Sequence, residues 1–100
     1  MADLTTLRGA ASNVQYLVMD GRQLRAAKSV EKADSLSFKI GERGAMAVTD
    51  KTLPVVNEGD DVEVDGAPNP RSGGLEVVFL LNHTTAAEWR FRGYRRKVSR

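Results

Sequence analysis

One hundred residues hold about one small domain, and a balance of 41% hydrophobic to 28% charged residues is that of an ordinary soluble globular chain. No cysteine is present, which excludes a disulfide framework and a zinc–thiolate site. The net charge of +2 divides into opposed blocks: six acids against one lysine over residues 50–65, and six bases against Glu88 over residues 88–100.

The longest apolar run, residues 77–81, is far short of the ~20 residues that span a bilayer. Residues 1–8 lack the basic start and apolar stretch of a secretory signal, so a cytoplasmic domain with no membrane span is expected. Period-2 alternation then dominates the chain. Residues 13–19 read as a first strand, with Val14, Tyr16 and Val18 opposite Gln15, Leu17 and Met19. Asp20-Gly21 suits the positive φ of a tight hairpin, and residues 22–27 return. Residues 28–34 are polar and uncommitted.

Over residues 35–40, Leu36, Phe38 and Ile40 alternate with Ser35, Ser37 and Lys39. Gly41 to Gly44 turns the chain into a strand over 45–49, with Met46 and Val48 on one face and Ala45 and Ala47 on the other. Pro54 and Asn57-Glu58-Gly59 mark a connection. Residues 61–65 form a strand with Val62 and Val64 inward and Asp61, Glu63 and Asp65 outward. Residues 66–74, rich in glycine and proline, read as a loop. Residues 75–82 are the longest strand, with Leu75, Val77, Phe79 and Leu81 on one face and Glu76, Val78, Leu80 and Asn82 on the other.

The carboxyl end reads two ways. Thr85-Ala86-Ala87-Glu88 fits a helix-opening capping box, whereas Trp89 and Phe91 alternate with Arg90 and Arg92 as in a strand. The strand is preferred, because on a helix the two aromatics would face opposite sides. Five or six short strands joined by tight turns predict an all-β fold, a small barrel that closes to remove exposed edges. The expected division is a lead-in over 1–12, the barrel over 13–94 and a basic tail over 95–100.

The run Glu58-Gly59-Asp60-Asp61-Val62-Glu63-Val64-Asp65-Gly66 resembles the fourth strand of an OB-fold, with a Gly-Asp opening, a Val-x-Val core and a closing glycine. The glycine-rich Gly73-Gly74 and the long strand over 75–82 follow in the order that family uses. The resemblance covers roughly residues 9–85 and implies a five-stranded, OB-like barrel. The same order is similar to soluble barrel domains attached to membrane segments in poorly characterised bacterial proteins. There a phrase like Ser37-Phe38-Lys39-Ile40-Gly41-Glu42-Arg43 precedes the Gly-Asp strand, and one like Leu81-Asn82-His83-Thr84-Thr85 closes the last. OB-folds host nucleic-acid binders, sugar binders and protein adaptors, so fold alone leaves function open.

The residues offer little for catalysis. His83 is the sole histidine, and no cysteine is present to pair with it. Gly41-Glu42-Arg43-Gly44 lacks the lysine and hydroxyl of a phosphate-binding loop. The Asp61 run imitates a calcium loop, but its twelfth position is Ser72 instead of a bidentate glutamate. A non-enzymatic protein with no cofactor and no metal is therefore expected.

Two binding surfaces stand out. At the basic end, Arg90, Arg92, Tyr94, Arg95, Arg96 and Lys97 could follow phosphates while an aromatic stacks on bases. Strand parity turns Trp89 and Phe91 toward the core and leaves Tyr94 as the exposed ring. At the acidic face, Asp60, Asp61, Glu63 and Asp65 could meet a basic surface. The expected function is a binding module for a protein partner or for self-association through charged and apolar barrel faces. The alternative is single-stranded nucleic-acid binding through the basic aromatic end.

Overall fold

In the computed structural model, which describes residues 4–49 and 52–94, the alternating segments are strands of one sheet that closes on itself. They are β1 (Thr5–Asp20), β2 (Gln23–Ala26), β3 (Ser35–Ile40), β4 (Arg43–Val48), β5 (Asp61–Pro68), β6 (Leu75–Asn82) and β7 (Ala87–Arg90). Single turns of 3-10 helix cover Val30–Lys32 and Phe91–Gly93. The pairing runs β1-β3-β4-β6-β5 and returns from β5 to β1, which makes a five-stranded closed barrel of OB-like order. β2 and β7 are appended to β1 and β6, and every pairing is antiparallel except β4 with β6. No helix among the described residues is long and apolar enough to cross a membrane.

Closure depends on β1, whose 16 residues serve two neighbours: Thr5 to Ala10 pair with β5, and Ala11 to Leu17 with β3. A bulge between Ser12 and Gln15 bends the strand from one partner to the other. Asn13 sits there at φ 51°, a left-handed conformation that asparagine tolerates better than most residues. The strand expected over 13–19 thus reaches back to Thr5, and residues 5–12, expected as a lead-in, belong to the sheet. The tail over 95–100 lies outside the described residues.

Large residues oppose small ones inside the barrel. Leu36 and Phe38 of β3 sit across from Ala47 and Ala45 of β4, and all four are buried. Val56, Val62, Val64, Leu75, Val77 and Leu80 complete the same cluster. Each large apolar side chain so buried contributes roughly 1.5–3 kcal/mol. Because alanines take the inner positions of β4, Met46 and Val48 face outward.

Three local expectations change. β5 runs on to Pro68, so Gly66, Ala67 and Pro68 are strand and not loop. Gly66 is required by packing, since a Cβ there would lie 2.9 Å from the Cβ of Leu75. In β6 the register slips between the Asp65–Phe79 and Gly66–Val77 pairs, leaving Val78 as the extra residue. Inward parity therefore passes from Leu75 and Val77 to Leu80 and Asn82, and Phe79 is buried outside the main cluster. Finally, the preferred strand at the carboxyl end stops at Arg90, and Phe91 opens a turn instead of continuing the alternation.

Candidate ligand-binding groove

The acidic segment is engaged by other parts of the chain. Asp60 is buried; its Oδ2 accepts from the Asn57 amide at 2.9 Å and from Asn82 Nδ2 at 2.8 Å. These two donors hold its carboxyl below the ordinary aspartate range. Asp65 is buried as well and accepts from Thr6 Oγ1 at 2.6 Å. Asp61 receives Arg8 through both Nη2, at 2.9 Å, and Nε, at 3.3 Å. That pair lowers the Asp61 pKa and raises that of Arg8. Glu63 Oε1 lies 2.9 Å from His83 Nε2. Of the four carboxylates of the expected acidic face, two are thus buried, and Asp61 and Glu63 are engaged by Arg8 and His83.

Asn82 anchors this end of the barrel. It is fully buried, also donates to the Val55 carbonyl at 3.2 Å, and accepts from the amides of Thr84 and Thr85. On the opposite side of the same connection, the Tyr16 hydroxyl donates to the Pro54 carbonyl and accepts from the Val56 amide, each at 2.7 Å. Burial pushes the Tyr16 phenol up, partly opposed by the Val56 N–H. These bonds fasten residues 54–60 to the barrel, with Val55 and residues 57–59 exposed on its outside.

The open surface is a groove of about 1750 Å³ over the outer face of β3 and β4. Its floor is made of cross-strand outer pairs, Ser35 with Val48, Ser37 with Met46 and Lys39 with Gly44. At one end the β1–β2 hairpin contributes Met19 and Leu24; at the other stand Asn69 and Ser72 to Gly74 of the β5–β6 turn. Gly74 allows β6 to start close against β4, since a Cβ there would come within 3.0 Å of the Gly44 carbonyl. The third side is Val78 with residues 89–92.

Met19, Val48 and Leu24 are 53%, 50% and 45% exposed, so three of the large exposed apolar residues meet in one depression. Lys39, Arg43, Arg90 and Arg92 line it together with Asp34, Glu42 and Glu76. Two of those acids already have internal donors: Asp34 accepts from the Met19 amide and Ser35 Oγ, and Glu76 accepts from Asn69 Nδ2.

Of the basic residues named from the sequence, Arg90 and Arg92 line this groove. The Arg90 guanidinium lies 5.3 Å from the Phe79 ring centroid, and donates to Glu88 at 2.9 Å and to the Tyr94 carbonyl at 3.1 Å. The Arg92 guanidinium lies 5.2 Å from the Phe91 ring. Trp89 packs against the core and also lines the groove, where its ring stands 6.4 Å from that of Phe91 in a tilted arrangement. Tyr94, expected as the exposed aromatic, is half-buried and outside the lining, so the aromatic wall is Trp89 and Phe91 instead. Arg95, Arg96 and Lys97 fall outside the described residues.

Sequence reading missed Leu24, Lys39, Arg43, Met46 and Val48 as a surface. The available signal was the Ala45/Ala47 alternation opposite Leu36 and Phe38, which leaves the larger Met46 and Val48 to the outside. Compared with known proteins, the chain matches no family model, no curated protein and no solved structure. The likeness to OB-folds is therefore one of strand order, and no relationship to bacterial barrel proteins is shown.

Proposed function

We propose that this chain is a non-catalytic binding module whose groove over β3 and β4 takes a segment of another protein. In barrels of this order the corresponding face, between the loops after the first and fourth barrel strands, is where ligands are held. The observation that carries the reading is the meeting of exposed Met19, Leu24 and Val48 in that one place. Exposed aliphatic side chains gathered in a depression mark an interaction surface, and they match apolar protein side chains better than the faces of bases. The charged version of assembly loses its footing, because the carboxylates of residues 60–65 are engaged within the chain.

A second reading, single-stranded nucleic acid, is favoured by the Trp89–Phe91 wall with Arg90 and Arg92 beside it. Trp89 is the single tryptophan, so its emission reports the groove directly. The deciding experiment titrates that emission with an unfolded carboxymethylated polypeptide and with a mixed-sequence oligonucleotide, each at two salt concentrations. The polypeptide should shift the emission with a shallow salt dependence, and Val48→Glu should weaken its binding at least about tenfold. Silence toward the polypeptide at ~100 µM, with tight and steeply salt-dependent oligonucleotide binding, overturns the protein reading in favour of nucleic acid.

A further inference from the structure

We infer that residues 87–94 form a hinged strap, which lifts off β6 as one body while the barrel stays closed and so builds or removes the aromatic wall of the groove. The opening is a property of the chain itself and holds whatever the groove takes. β7 has four residues, none of them fully buried, and pairs with β6 alone among the described strands. β2 is as short and as one-sided, but its hairpin puts Gly21 in the left-handed position at φ 63°, where glycine is unstrained. The β6–β7 turn puts Ala86 there instead, at φ 65°. Left-handed non-glycine residues persist only where their surroundings hold them, and they gather at switch segments.

Bonding changes direction at Ala86. On the Thr85 side the chain is fixed to the barrel: buried Asn82 accepts from the amides of Thr84 and Thr85 through Oδ1, and Thr84 Oγ1 accepts from the Asp61 amide. On the other side, bonds close within the segment. Arg90 donates to Glu88 and to the Tyr94 carbonyl, the Tyr94 amide donates to the Phe91 carbonyl, and the Trp89 and Phe91 rings stand 6.4 Å apart. Residues 87–94 thus keep their own shape. They meet the barrel through the ladder with β6, through Trp89 against the core and through Arg90 above the Phe79 ring. The Ala87 amide reaches back across the hinge to Thr85 Oγ1 at 3.3 Å, the long end of hydrogen-bond range.

Lifting breaks the β6–β7 ladder and leaves the pairing of the five barrel strands intact. The His83 amide donates to the Asp61 carbonyl of β5, so alternation turns the backbone groups of Leu81 toward β5 and those of Leu80 and Asn82 toward β7. With the strap down, Trp89 and Phe91 wall the groove. With it up, the groove loses that wall, the N–H and C=O of Leu80 and Asn82 lose their partners, and Ala86 is free to leave the left-handed region. β6 therefore carries both reporters: the Leu80 amide follows the strap, and the Leu81 amide follows the barrel.

The test is amide hydrogen exchange of the full chain, read residue by residue at rising urea below the unfolding transition. After correction for intrinsic rates, Leu80 and Trp89 should exchange at least about tenfold faster than Leu81, and with a shallower urea dependence. Ala86→Gly holds the strap down without strain and should slow exchange at Leu80 and Trp89 about two- to fivefold. Equal rates and urea slopes at Leu80 and Leu81 would mean that β7 leaves only with the whole barrel, and would overturn the strap. Unchanged rates at Leu80 and Trp89 in Ala86→Gly would overturn Ala86 as its hinge. If that variant does not fold, the contrast between Leu80 and Leu81 in the unsubstituted chain decides. No ligand enters the measurement, so a failed strap leaves the protein-binding reading as it stands.

Discussion

Residues 58–65 and residues 87–94 carry opposite charge and alternate alike, yet the fold treats them in opposite ways. In the first, each of the five carboxylates has a partner brought from elsewhere: Val14 for Glu58, Asn57 and Asn82 for Asp60, Arg8 for Asp61, His83 for Glu63 and Thr6 for Asp65. In the second, Arg90 pairs with Glu88 and the Tyr94 carbonyl of its own segment and lies near the Phe79 ring, and Arg92 lies near the Phe91 ring, exposed contacts worth only ~0.5–1 kcal/mol each. The difference teaches that charge along a chain measures availability only after its partners in space are known. The acidic segment fastens the barrel, and the basic aromatic one borders the groove.

The contrast breaks most visibly at Asn82. Asn82→Ala would leave the Val55 carbonyl and the Thr84 and Thr85 amides without their partner, and take a donor from Asp60. Several buried polar groups losing partners together should cost about 3 kcal/mol of stability, read from urea unfolding. Arg90→Ala, on the other segment, should stay within about 0.5 kcal/mol. Similar losses from both substitutions would erase the distinction.

Acid titration sharpens the same contrast. Asp60 and Asp61 have folded pKa values below the ordinary 3.8, because amide donors stabilise the first carboxylate and Arg8 the second. As pH falls, the unfolded chain takes up these protons first. The stability the two groups contribute is complete above the ordinary value and is lost as pH drops through and below it. The urea midpoint should fall between pH 5 and pH 3, and by less in Asp61→Asn than in the unsubstituted chain. An identical fall in both would detach Asp61 from the linkage.

Much of the barrel was legible because an apolar residue at every second position dictates both strand and face, as in Leu36, Phe38 and Ile40 or Val62 and Val64. What alternation cannot carry is an inserted residue. The bulges near Asn13 and at Val78 each shift the register, so β1 appeared half its length and Leu80 appeared to share a face with Val78. The candidate site was legible only at Arg90 and Arg92. Its other parts come from β1, β2, β3, β4 and the β5–β6 turn, which meet only once the sheet has closed. The partners of the acidic face were hidden for the same reason, since Arg8 and Asp61 stand 53 residues apart and Thr6 and Asp65 stand 59 apart.

The finest test separates charge from backbone within the basic segment itself. Ala86 and Arg92 both hold left-handed conformations, at φ 65° and 46°, which cost a non-glycine residue roughly 1–2 kcal/mol. Ala86→Gly should therefore raise stability by about 0.5–1 kcal/mol, after glycine's greater freedom in the unfolded chain is counted. Arg92→Gly relieves the same strain but gives up ~0.5 kcal/mol of contact with Phe91, so its stability should be nearly unchanged. Binding of the unfolded carboxymethylated polypeptide should then divide the pair: unaltered in Ala86→Gly, and weaker by about two- to fivefold in Arg92→Gly, the effect of one charge at the rim. Equal affinity in both variants would mean that Arg92 plays no part in recognition at the groove.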